Sequence, residues 1–317
     1  MAELEVEQVR VAPGEKVEHV FQVDVGDRTV PLPVVMINGT QDGPRVAITG
    51  GVHGGEYVGM ETARRLGKEI DPASVAGSIV IAVVSNVTAF QGRSVYLSEL
   101  DQHNLNRVFP GNPNGDPSER LAYWLFEEIV RPSDYYVDLH GGDLTEALAP
   151  FVLYRETADK DVEEKSRQMA LAMGIDCVIR VDVPCAAFSE AALAGIPAII
   201  PEAGDHGMWE ENTVGTFCEG VRGVLQHLNV LPGNREIDES RHIYQDFPFM
   251  RSPMNGFWYP EVKLHDRVQK GDPIGTITDY FGNPCHYITA PTDGEVVVVV
   301  TGLATNAGEI VAGLAVG

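Results

Sequence analysis

The residues best suited to chemistry lie in the stretch "GGVHGGEYVG" (50–59), where one His and one Glu stand among glycines. His53 and Glu56 form an H-x-x-E pair between the strand-like run "RVAITG" and the helix-like run "METARRLGKEI". At i and i+3 on a turn entering a helix, both side chains can face one point. A phosphate loop is excluded because no Gly-Lys-Ser/Thr follows, and the glycine spacing does not make a dinucleotide fingerprint. A metal fits better. Catalytic zinc takes three protein ligands and keeps one position for water, so a third ligand must come from another strand end. "DLHGGD" offers His140, which closes the run "YYVDLH" and precedes two glycines. Singly, each His reads as an ordinary polar loop residue. Together, two Gly-flanked His at strand ends, one with its Glu, favour a metal, and two His with one Glu are a zinc-hydrolase ligand set.

Hydrolysis also needs a proton acceptor. "IPEAGDHG" puts Glu202 at the end of another apolar run, where a carboxylate beside a metal-activated water suits a general base. The plain alternative is a helix-capping or loop acid; His206 is a weaker candidate. The loop at 85–116 contains "QGRSVYLSELDQHNLNRVFPG" and carries Arg93, Asn106 and Arg107. The fork of Arg matches a carboxylate bidentately, with surface ion pairing as the alternative. Cations are scarce here: 46 acidic against 23 basic residues in 317 give a formal charge of −23. That balance disfavours nucleic acid and anionic membranes as partners. An anionic substrate must therefore be met by arginines gathered locally. No G-x-S-x-G occurs, which weakens a serine-hydrolase reading.

These residues need strand ends to hold them. From about residue 45, strand and helix signals alternate. A helix is expected over 55–69 and a strand buried on both faces at "SIVIAVV" (78–84). A helix follows at 117–130, strands at 135–140 and 151–154, and a helix stopped by Gly174. A strand at 196–204 and a helix over "NTVGTFCEGVRGVLQHLNVL" complete the pattern. Such alternation predicts a three-layer α/β domain with a largely parallel or mixed sheet, whose ligands bind at the carboxyl ends of strands. After "LPGNREIDES" the texture turns Val-, Gly- and Pro-rich, as expected of an all-β module. The domains are thus read as 1–234 and 235–317. The N-terminal "MAELEVEQVR" lacks an apolar signal core, and the C-terminal apolar tract is broken by Glu295 and Glu309. Cys177, Cys185, Cys218 and Cys285 form no C-x-x-C pair. A cytoplasmic setting is expected, with all four as small core residues.

Five motifs in order, "GGVHGGEYVG", "SNVTAFQGRSVY", "NLNRVFPG", "DLHGGD" and "PEAG", resemble the succinylglutamate desuccinylase/aspartoacylase family over roughly residues 45–205. The resemblance implies a zinc-carboxypeptidase-like fold with mixed sheet and one Zn2+ per chain on His53, Glu56 and His140. It further implies Glu202 as general base, Arg93 polarising the scissile carbonyl, and Asn106 with Arg107 holding a substrate carboxylate. Relatives often carry Asp where this chain has Asn104, so the group orienting a zinc-bound His is in question; Asp138, two residues before His140, is a candidate. The C-terminal segment resembles the hammerhead (barrel-like) folds that carry biotin or lipoate. Its hairpin tip reads "DYFGN", without the carrier Lys, and is taken as a module that covers the site or mediates assembly. The expected activity is zinc-dependent cleavage of the amide of an N-acyl amino acid or similar small carboxylate. A zinc esterase and a non-catalytic metal-binding protein are the alternatives, and a homo-oligomer is compatible with the sequence.

Overall fold

The computed structural model describes residues 2–317, and its centre is a nine-stranded mixed sheet. From one edge to the other the strands are Ile243–Tyr244, Cys177–Val181, Phe151–Arg155, Ala198–Glu202, Tyr135–Leu139, Gln41–Gly50, Ala76–Ala82, Thr29–Asn38 and Lys16–Asp24. The four strands from Ala198–Glu202 to Ala76–Ala82 run parallel. Phe151–Arg155 lies antiparallel to that block on one side and Thr29–Asn38 on the other. Central runs such as Val46, Ala47 and Ile48 are fully buried, as a sheet covered on both faces requires.

The helices Tyr57–Glu69, Lys160–Ala172 and Glu211–His227 share one core layer with the sheet. Pro117–Trp124 and Ala187–Leu193 pack in the layer on the other face. The result is the expected three-layer α/β architecture. The helix expected over 117–130 is regular only to Trp124. Its last turn, Leu125–Val130, is wider, with the Arg131 amide donating to the Phe126 carbonyl five residues back.

Beyond Tyr244 the chain is entirely β. One sheet contains Phe249–Arg251, Ile310–Ala315, Gly294–Val300 and Arg267–Val268; a second contains Pro284–Thr289, Pro273–Thr278, Gly256–Pro260 and Ala304–Thr305. The two parts exchange strands. Ile243–Tyr244 joins the large sheet, while Glu146–Leu148 pairs with Gly294–Val300. Leu148, Phe151, Phe247, Val297 and Ala315 share one core. The cysteines depart from expectation. All four are free thiols, but Cys185 and Cys285 are exposed, Cys177 is half-buried, and only Cys218 is a core residue. Cys285 lies on a strand with outward-facing residues and Cys185 in a loop, positions that small apolar size alone did not predict. Among the described residues no helix is long and apolar enough to cross a membrane.

Gly59 sets how closely the helix Tyr57–Glu69 approaches the sheet. A Cβ there would stand 2.5 Å from the Leu139 carbonyl oxygen, whereas one at Gly215, on Glu211–His227, meets nothing within 4 Å. Gly59→Ala is expected to lower unfolding free energy by about 1–3 kcal/mol through overpacking. Gly215→Ala should raise it by about 0.5–1 kcal/mol through helix propensity. Urea unfolding of the two variants checks the contrast; a neutral Gly59→Ala would refute the close approach.

Candidate active site

The strand Gln41–Gly50 ends in a turn that leads, through Gly51 in the left-handed region (φ +68°), to His53 and Glu56. The glycines between them are sterically required: a Cβ on Gly54 would meet the Ala89 backbone at 2.3 Å, and one on Gly55 the Asp143 carboxylate. His140 follows the next strand, Tyr135–Leu139, and is bridged in parallel to Glu202 at the end of Ala198–Glu202. All three elements end at the carboxyl edge of the parallel block, where α/β sheets bind ligands.

Glu56 stands between the two imidazoles. One carboxylate oxygen is 2.6 Å from His53 Nδ1 and the other 2.7 Å from His140 Nδ1; the second also accepts the Gly141 amide at 3.2 Å. Ligand atoms of His53, Glu56 and His140 all lie within 4.8 Å of one another, and all three residues are buried. The outer ring nitrogens point to oxygens. His53 Nε2 is 3.0 Å from Asn104 Oδ1, and His140 Nε2 is 3.3 Å from Asp138 Oδ2, which has no hydrogen bond. Thr49 donates to the other Asp138 oxygen at 2.7 Å. For His53, Nε2–H turned toward Asn104 Oδ1 leaves the Nδ1 lone pair facing inward, the tautomer that suits a metal ligand; for His140, Nδ1 likewise faces Glu56, while Nε2 lies beside Asp138 and the Asn106 amide. The amide of Asn104 thus faces His53, and Asp138 faces His140. The donor set fits a divalent cation.

Electrostatics sharpen the picture. Burial pushes the Glu56 carboxyl up, but His53 and His140 overcome it and hold the group ionised well below the usual carboxylate range. Burial lowers the proton affinity of His140, while Glu56 and Asp138 raise it further than burial lowers it. Burial raises Glu202 well above the ordinary range, held back by His140 and reinforced by Glu56.

The other expected residues divide. Asn106 is 3% exposed, with Nδ2 at 3.4 Å from His140 Nε2 and Oδ1 accepting the Ala187 amide at 2.8 Å. Arg107 reaches solvent and donates from Nη1 to the Asn106 carbonyl at 2.6 Å; Glu202 and Glu56 lie within its electrostatic reach. Arg93 is not brought to the cluster by any hydrogen bond or ion pair among the described residues. It follows the short helix Val87–Gly92 in a left-handed conformation (φ +54°). From there it lines a separate hollow of about 600 Å³ with Tyr57, Met60, Phe90 and Trp209. His206 is exposed.

Sequence reasoning missed a second set of acids. Asp143 and Glu146 are buried beside Tyr96, whose amide donates to Asp143 at 3.2 Å and whose ring meets that of His53 edge-on at 5.4 Å. Burial, reinforced by Glu56, pushes Asp143 up to about 6. Burial also pushes Glu146 up to about 7, with Tyr96 opposing and Glu56 reinforcing. Their signal was present in "DLHGGDLTE", three and six positions after His140.

Fold and site together define an α/β protein with a metal-competent group of two His and one Glu at its strand ends. Comparison with known proteins agrees: residues 42–228 match the succinylglutamate desuccinylase/aspartoacylase catalytic domain. The chain belongs to that family of deacylases. It is 28% identical over 258 residues to the N-alpha-acetyl-L-2,4-diaminobutyric acid deacetylase of Halomonas elongata, covering 79% of this chain and 75% of that protein. Its fold matches the product-bound ectoine utilization protein EutE (DoeB) from Ruegeria pomeroyi with TM-score 0.86 at 24% identity, over 98% of each chain. It also matches a succinylglutamate desuccinylase/aspartoacylase from Rhodobacter sphaeroides with TM-score 0.83 at 24% identity, over 94% of each.

The raised Glu146 gives a signed pH dependence. Its carboxyl moves from 4.5 to about 7 on folding, so the native state holds this proton more tightly and loses stability as pH rises through that window. Glu146→Gln carries no such proton. In metal-free protein its stability relative to the parent chain should improve by about 3 kcal/mol between pH 4 and pH 8. Urea melts of both chains at the two pH values measure this; a pH-independent difference would refute it.

Proposed function

We propose that the chain is a zinc-dependent deacylase that cleaves the amide of an N-acyl amino acid or similar small carboxylate. The observation that carries the reading is the convergence of His53 Nδ1, the Glu56 carboxylate and His140 Nδ1, with Glu202 on the adjoining strand end. Two imidazoles and a carboxylate suit zinc, which when bound supplies a Lewis acid and a water acidified toward neutral pH. The Halomonas relative is named for a small N-acetylated amino acid, which supports the substrate class.

The side chains divide the remaining work. Glu202, with its proton affinity raised by burial, takes a proton from the attacking water and passes it to the leaving amine. Arg107 takes the free carboxylate of the substrate, and Asn106, whose Oδ1 accepts the Ala187 amide, fixes the turn that presents it. Arg93 is assigned to the developing oxyanion. Arg93 is exposed at the end of Val87–Gly92, so this role requires its side chain to reach inward when substrate binds. Asn104 and Asp138 hold the two imidazoles in register.

The test is release of free amine from a panel of N-acyl amino acids, N-α-acetyl-2,4-diaminobutyrate among them, by the zinc-loaded protein. Turnover is expected, with one metal ion per chain that is lost in His140→Ala. Glu202→Gln should cut kcat by about 10²- to 10⁴-fold with metal content unchanged. Near-normal turnover by Glu202→Gln would reassign the base, and a zinc-loaded chain that cleaves no amide would sink the deacylase reading.

A further inference from the structure

We propose that Tyr96 is a positioning residue for the metal-competent group: its ring, carried on the hairpin that also delivers Asn104, holds the His53 imidazole in place. This inference rests on the function proposed above and adds a residue to its site.

One short stretch of chain meets His53 twice. Asn104 Oδ1 lies 3.0 Å from His53 Nε2, and the half-buried Tyr96 ring stands edge-on to the imidazole, with centroids 5.4 Å apart and planes at 81°. An antiparallel bridge between Leu97 and Asn104 brings the two contacts together. Backbone bonds close the hairpin: the Ser98 amide donates to the His103 carbonyl at 2.8 Å, and the Gln102 amide to the Ser98 carbonyl at 2.9 Å. Asn104 Oδ1 also accepts the Asn106 amide at 2.8 Å, so the acceptor that faces His53 is itself fixed.

The backbone shows that the placement of Tyr96 is imposed. Its φ of +60° lies in the left-handed region, which a bulky L residue seldom adopts. Such a conformation persists only where the surroundings hold it, and it gathers at functional sites. Here the Tyr96 amide donates to Asp143 Oδ2 at 3.2 Å, while Asp143 Oδ1 accepts the Leu144 amide at 2.6 Å. The phenol is within hydrogen-bonding reach of the Glu146 carboxylate. Glu146 is anchored in turn: it is the register partner of Val300, and its carbonyl accepts the His206 amide at 2.7 Å. Asp143 also presses on the turn between His53 and Glu56, because a Cβ on Gly55 would meet its Oδ1 at 1.9 Å. One carboxylate thus seats both Tyr96 and the turn that carries two of the three ligating side chains. Outer contacts that fix a ligand ring keep its lone pair aimed at the metal.

Zinc dissociation constants, measured by competition with a chelator, and visible spectra of the Co2+-loaded protein are compared for the parent chain, Tyr96→Ala, Tyr96→Phe and Phe21→Ala. Phe21 is a core residue of the outermost strand, Lys16–Asp24, and controls for lost stability alone. Tyr96→Ala should weaken zinc binding by about 10- to 100-fold and shift the Co2+ bands. Tyr96→Phe keeps the ring and should recover most of the affinity. Phe21→Ala should match the parent in both readouts. Should Tyr96→Ala fail to fold, Tyr96→Leu takes its place. Parent-like affinity and spectrum in Tyr96→Ala would overturn the proposal, as would equal losses in Tyr96→Phe or in Phe21→Ala. If zinc binds but no amide is cleaved, the deacylase reading fails alone and the affinities still decide about Tyr96. If the parent chain binds no zinc, the zinc reading fails alone. Crystal structures of the metal-free parent and Tyr96→Ala then decide: a His53 ring displaced from Glu56 supports the positioning role, and an unmoved ring removes it.

Discussion

One carboxylate between two imidazoles organises this protein. Glu56 can meet both Nδ1 atoms because Gly54 and Gly55 let the turn press against Ala89 and Asp143, and because Gly59 lets its helix lie against Leu139. Each imidazole is fixed from behind by a different segment, Asn104 from the long loop and Asp138 from its own strand. The buried carboxylate stays ionised because two rings face it, and the outer nitrogens of those rings face Asn104 and Asp138. Sheet order, glycine placement and side-chain tautomer are therefore aspects of a single constraint.

Around that point the charge is lopsided. Glu56, Asp138, Asp143, Glu146 and Glu202 crowd the same region, and burial holds several of them above their ordinary range. Such a concentration of carboxyls is hostile to an anionic ligand unless positive charge is supplied at its centre and at its mouth. A divalent cation in the His-Glu-His group answers the first need. In the proposed reading Arg107, which forms no ion pair among the described residues and stands within the field of Glu202 and Glu56, answers the second.

Much of the site was legible because it consists of short motifs at strand ends. His53, Glu56, His140 and Glu202 each follow a visible apolar run, and Gly beside His is a local signal. What could not be read was non-local. The strand Thr29–Asn38 is masked in the sequence by Pro31 and Pro33, and its antiparallel partner Lys16–Asp24 carries no motif of its own. The structure tolerates the two prolines because that half of the strand pairs only with Lys16–Asp24, while pairing to Ala76–Ala82 begins at Val34. The strand Cys177–Val181 and the helix Ala187–Leu193 were likewise too short to announce themselves. Asp143 and Glu146 read as loop polarity because nothing local says that a later strand will bury them. Arg93 is the reverse case: its motif suggests a role, while its cap position at the end of a short helix gives it no hydrogen bond or ion pair to the cluster among the described residues.

The pairing of Glu146–Leu148 with Gly294–Val300 has a consequence for how the molecule is made. Register partners Leu148 and Val298 are 150 residues apart in the chain. Synthesis delivers the two His and the Glu of the metal-competent group long before the strand that braces their acidic neighbour. A nascent chain therefore carries its ligating side chains on an unfinished wall until residues 294–300 have emerged. The order of synthesis delays a complete site, and a product cut short before residue 294 has the ligating residues without the brace.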